Sequence, residues 1–83
     1  MDQHQTIRIC KMIGQILATI HIAVRNQHDA FGVEYTKFLP YVDSRKPEFI
    51  KDYIFWIITH QYGFYTVDKE SLKNIIDEYL EST

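Results

Sequence analysis

Two stretches of this chain repeat apolar residues at the spacing of a helical turn, and that repeat restricts the fold more than any other feature. Near the C-terminus, Leu72, Ile75, Ile76, Tyr79 and Leu80 follow i, i+3, i+4, i+7, i+8 spacing, which lays one apolar stripe along a helix. Asp68 stands ahead of the stripe as an N-cap, where its carboxylate can accept from the free amides of the first turn. Val67 and Leu72 occupy the two positions of a hydrophobic staple around that cap. The pattern predicts a helix from about Lys69 to Leu80.

A second helix is expected from about Gln5 to Asn26. With about 100° of turn per residue, Ile9, Cys10, Ile13, Ile16, Leu17, Ile20, Ala23 and Val24 fall within about 140° of arc. Its other side is not cleanly polar. Ile7, Gly14, Ala18 and Ile22 form a weaker apolar strip, interrupted by Lys11 and Arg25. A helix with two apolar faces lies between two neighbours, so the strip awaits either another helix of this chain or a second copy. The small Gly14 and Ala18 would let such a helix approach closely.

A third helix is expected from a cap at Ser44 to about Tyr62, with Pro47 in its first turn and Gly63 as a left-handed C-terminal cap. Phe49, Ile50, Tyr53, Ile54, Trp56, Ile57 and Ile58 are assigned to its core-facing side. Phe55 and Tyr62 project the other way, beside Lys51, Asp52 and Thr59. Residues 29–43 fit a helix through Phe31, Tyr35, Phe38 and Val42, or a strand through Phe31, Val33 and Tyr35. A short helix is preferred, ended at about Leu39 by Pro40. The run Phe64-Tyr65-Thr66-Val67 could extend and pair with residues 31–35. The expected fold is therefore all-α: one domain over residues 1–83, three long helices and a short one, with a minor two-stranded element possible.

Composition narrows the functional classes. A chain of 83 residues hides only about 60% of its unfolded surface, and scaffolds of this size usually need a disulfide, a metal or a partner. Cys10 is the single cysteine, so no internal disulfide can form, and its place on the apolar arc reads as a packed thiol. The histidines His4, His21, His28 and His60 show no metal-ligand spacing. Neither a phosphate-cradling glycine run nor a glycine-framed serine is present. Asp77 and Glu78 are adjacent on a helix and point apart, so they make an acidic face rather than a shared-proton pair. No cofactor and no catalysis are expected.

The opening Met-Asp-Gln-His-Gln lacks the basic start and apolar run of a secretory signal. The mostly apolar stretch Met12 to Val24 contains Gln15, Thr19 and His21 and falls short of the roughly 20 residues of a membrane span. The expected location is cytoplasmic. A net charge of −2 and a pI near 6.0 argue against nucleic acid as the partner, since a binding footprint is normally basic.

The remaining signal is aromatic. Phe49, Tyr53, Phe55, Trp56, Tyr62, Phe64 and Tyr65 all fall between positions 49 and 65, and aromatic side chains are the usual anchors of protein interfaces. Phe49, Tyr53 and Trp56 are expected in the core. Phe55 and Tyr62, with Gly14, Ala18 and Ile22, are the expected interface. The functional expectation is a protein-binding module, homodimeric, that masks or bridges another protein in the manner of a phage or mobile-element inhibitor, immunity protein or antitoxin. The alternative is a transcriptional or nucleic-acid-binding regulator, which would need Arg8, Lys11, Arg45, Lys46 and Lys51 on one surface. A third class, an enzyme or ligand-binding protein, would need His21, Arg25 and His28 to converge on a pocket.

Overall fold

The computed structural model describes residues 3–64 and 67–82. Among these the chain is all-helical: α1 Gln3–Asn26, α2 Leu39–Ser44, α3 Lys51–His60 and α4 Lys69–Ser82. Two 3-10 turns, Tyr35–Phe38 and Pro47–Phe49, lead into α2 and α3. The expected all-α bundle is present, with α2 as the short member.

The α1 stripe forms the spine of the core. Ile9, Ile13, Ile16, Ile20 and Ala23 are fully buried, against Ile50, Ile54, Ile57 and Ile58 around α3 and Leu72 and Ile76 of α4. By length and composition α1 is also apolar enough to cross a membrane. Met12 to Val24 is only part of this helix, which has the length that the stretch by itself lacks. In the bundle, the apolar stripe of α1 is taken up by α3 and α4.

The end of α1 is set by its backbone. Gln27 takes a φ of 56°, while the amides of Gln27 and His28 donate to the carbonyls of Val24 and Ala23. These two bonds are the pair that closes a Schellman motif. They satisfy carbonyls that the helix would otherwise leave open.

Residues 29–43 resolve into a turn, a 3-10 segment and α2. Ala30 and Val33 exchange both backbone hydrogen bonds, at 3.0 and 2.9 Å, around Phe31 and Gly32, whose φ values are 56° and 74°. Positive φ at both central residues is the requirement of a type I′ turn, which Gly32 meets without strain. This bridge is the extended structure found among the described residues, and it lies within the turn. The pairing expected between residues 31–35 and 64–67 involves Tyr65 and Thr66, which lie outside the described residues. Gln61 ties the turn to the end of α3, its side-chain amide donating to the Phe31 carbonyl at 3.0 Å.

Three boundaries differ from expectation. Pro40 does not end a helix but sits in the first turn of α2, where a missing amide costs nothing because that donor would be unpaired anyway. Ser44 is not the cap of α3. It closes α2, its hydroxyl donating to the Pro40 carbonyl, and Arg45 follows in the left-handed region at φ 57°. The α3 ladder starts later than expected, because Pro47–Phe49 forms a 3-10 turn with i→i+3 bonds from Phe49 and Ile50 back to Lys46 and Pro47. A 3-10 turn advances about 120° per residue rather than about 100°, a difference over one step too small to move Phe49 from the outward side.

Both ends of the α3–α4 connection follow the sequence. Gly63 takes the expected left-handed φ, 76°, but two residues beyond Gln61, which caps α3 in the right-handed region. Asp68 caps α4 with Oδ2 accepting from the Ser71 hydroxyl at 2.7 Å and the Ser71 amide at 3.2 Å. These bonds, the hydroxyl foremost, hold the Asp68 carboxyl below its usual range. A folded pKa below the unfolded one means the stabilisation is present above about pH 4 and fades as pH drops through the folded value. Asp68→Ala should therefore melt lower than the parent at neutral pH, with the gap narrowing in acid. Melting temperatures that run parallel against pH would show that the cap contributes nothing.

Candidate protein-binding face

The outer face of α3 is where aromatic area meets solvent. Ile54, Ile57 and Ile58 fix the inward direction of the helix. Counting about 100° per residue, Trp56 lies about 200° from Ile54, so the indole points away from the core. Trp56 is 44% exposed and Phe49 46%. This corrects the expectation that both are core residues, and the reason is the same for both. Helical phase turns Trp56 outward, and Phe49, seven residues earlier, lies on the same side.

Tyr53 behaves as expected in part. It is half-buried, with its ring packed edge-on against the buried Phe38 at 5.3 Å between centroids. Trp56 is held differently. Its indole stacks on the His60 imidazole one turn later, with centroids 5.0 Å apart and planes 15° from parallel. The His60 Nδ1 lies 3.1 Å from the Trp56 carbonyl, which can only accept, so that contact draws its proton from Nδ1. Thr59, buried between these side chains and the helix, donates its hydroxyl to the Phe55 carbonyl at 2.9 Å. The exposed indole is thereby covered on one side by the imidazole.

Beside it lies a shallow depression of about 340 Å³, lined by Val33, Asp52, Tyr53 and Trp56. Asp52 forms no ion pair with any described residue. Its neighbour Lys51 pairs instead with Asp77 of α4 at 3.1 Å.

The residues expected at the interface are not brought together. Gly14 faces α4: a Cβ there would lie 3.0 Å from the Tyr79 hydroxyl. The close approach that the small residue allows is thus made within this chain, by a tyrosine. Ala18 and Ile22 are exposed on α1. Phe55 does not project outward. It is half-buried against the core, and the Lys73 ammonium of α4 lies 5.2 Å from its ring centroid. Tyr62 is exposed at the end of α3.

The other candidate constellations also separate. His21 packs on Tyr41 at 5.9 Å and lines a depression of about 440 Å³ with Val42, Arg45, Pro47 and Leu80. Burial there pushes the Tyr41 hydroxyl above its usual pKa. Arg25 and His28 do not line that depression. His28 lies beyond the end of α1, its ring bonded to the Asp29 carbonyl. Among the basic side chains, Arg8 sits over the Phe64 ring at 5.4 Å, Lys51 pairs with Asp77, and Arg45 lines the His21 depression. Each is drawn to a different neighbour. Cys10 is half-buried beside Tyr79 and Ser82.

In comparisons with protein-family models, curated proteins and solved structures, the chain matches none. Function is therefore argued from the geometry alone.

Proposed function

We propose that this chain is a small cytoplasmic protein-binding module, without catalytic activity, that masks or bridges a partner protein through the outer face of α3. The observation that carries the reading is the exposure of Trp56 on α3 and of Phe49 on the turn before it, on the side away from the buried Ile54, Ile57 and Ile58. Large aromatic side chains left in water on a rigid element are the usual anchors of a protein contact. Self-association is part of the proposal, and the exposed Ala18 and Ile22 of α1 offer it a separate surface. Inhibitors and immunity proteins work in this masking fashion. The engagement of Arg8 with Phe64 and of Lys51 with Asp77 speaks against the regulator alternative.

The test is capture from the native lysate by tagged protein, with and without nuclease, comparing the parent with Trp56→Ala. A protein should be retained in stoichiometric amount after nuclease, and Trp56→Ala should retain about tenfold less, a modest hot-spot effect. The helical circular dichroism should be unchanged. Equal retention by both forms would reject α3 as the contact face, and material lost on nuclease treatment would favour the regulator.

A further inference from the structure

We infer that the depression bounded by Val33, Asp52, Tyr53 and Trp56 is a guanidinium site, filled by an exposed arginine of the partner protein. The inference rests on the reading of α3 as a protein-binding face and names the chemistry that face accepts.

The chain itself supplies the comparison. Phe64 and Phe55 are each covered by one of its own cations, Arg8 at 5.4 Å and Lys73 at 5.2 Å from the ring centroids. Trp56, the ring type that attracts a cation most strongly, has no such cation within the described residues. Its stacking partner is an imidazole, and His60 does not line the depression. Aromatic faces carry the negative end of the ring quadrupole, and Asp52 adds one carboxylate-bearing residue to a lining that is otherwise apolar. Glu48, one turn earlier, is exposed and is likewise in no ion pair among the described residues. Lys51 pairs with Asp77 at 3.1 Å, and although Asp52 also borders the depression that Lys51 and Lys73 line, it forms no ion pair with either. The site is thus an apolar, aromatic depression with one carboxylate residue in its lining that is in no ion pair among the described residues.

The lining decides which cation fits. A metal ion would need several oxygen ligands, and one carboxylate among Val33, Tyr53 and Trp56 does not provide them. A lysine ammonium is strongly hydrated and would have to shed water against an apolar wall. A guanidinium is weakly hydrated, stacks flat on an indole, and presents a fork of donors to a carboxylate. A volume of about 340 Å³ accommodates an arginine side chain without rearrangement of the helix.

Trp56 is the only tryptophan in the chain, so its emission reports this site alone. Titration with N-acetyl-arginine amide should change that emission saturably, with an affinity on the order of millimolar for a single exposed cation–π contact. The neutral isostere N-acetyl-citrulline amide should leave it unchanged. Asp52→Asn should weaken arginine binding about threefold, and added salt should weaken it in the parent but less in the variant. An equal response to arginine and citrulline, or none to either, would overturn the inference. Emission that shifts on dilution without added ligand would also overturn it, by placing a second copy on this face. If Trp56→Ala loses its captured partner while arginine amide stays silent, the protein-binding reading stands and the guanidinium assignment alone falls.

Discussion

Leu72→Ala should lower the free energy of unfolding by about 2–5 kcal/mol, the range for truncating a buried leucine. The side chain is fully buried, and α4 adds only Ile76 and Leu80 to the buried set beside it. Removing it takes away the transfer energy of the deleted methyl groups and leaves a void that Ile54, Ile57 and Ile58 on their own rigid helix cannot easily close. Domains of this size are stable by about 5–15 kcal/mol, so one truncation removes a large fraction of the whole. Urea unfolding followed by circular dichroism gives the number, provided the m-value is unchanged. A matched Phe49→Ala variant should move stability by about 1 kcal/mol or less, since nearly half of that ring is already in water. A Leu72→Ala change under about 0.5 kcal/mol would show that α4 does not pack as described.

The contrast between these two residues indicates what the sequence could and could not say. Where apolar residues recur over several turns, as in α1 and α4, phase averages out and both the helix and its buried face are legible. Asp68 and Gly63 were legible too, because each has a side-chain or backbone requirement that a single position satisfies. Pro40 was harder, whereas Pro47, expected in a first turn, sits in one. A proline can close one helix or open the next, and local sequence does not choose between these. In both cases here it opens a helical segment, after Phe38 is buried and after Arg45 reverses the chain. Phe49 was placed on the wrong side although it lies five residues before Ile54, about 220° round the helix. Trp56 was the same, since the spacing from Ile54 already turned it outward. Its size suggested burial, and size is a weaker guide than phase on a helix with isoleucines enough to fill its inner face. The five residues first grouped as an interface were not neighbours because Gly14 and Phe55 both answer to α4, a long-range contact that no local pattern encodes.

Phe55→Glu should destabilise the fold by about 2–3 kcal/mol, whereas Phe49→Glu should leave it standing. On the sequence alone the first of these was expected to be silent in stability and visible only in binding. The structure reverses this because Phe55 is half-buried against the core, in a depression shared with Lys73, Ile76 and Asp77 of α4. A glutamate there loses the apolar contact and the cation over the ring, and it sets a carboxylate beside Asp77. An ion pair with Lys73 would return less than about 1 kcal/mol at such an exposed rim, too little to offset the loss. Phe49→Glu meets none of these costs, because its ring already faces solvent on the same side as Trp56. Its effect should fall on partner retention instead, with the melting temperature near that of the parent. Thermal melts of the two variants side by side decide the matter. If Phe55→Glu melts with the parent and Phe49→Glu unfolds, α3 is rotated relative to the core, and the face proposed for the partner is the wrong one.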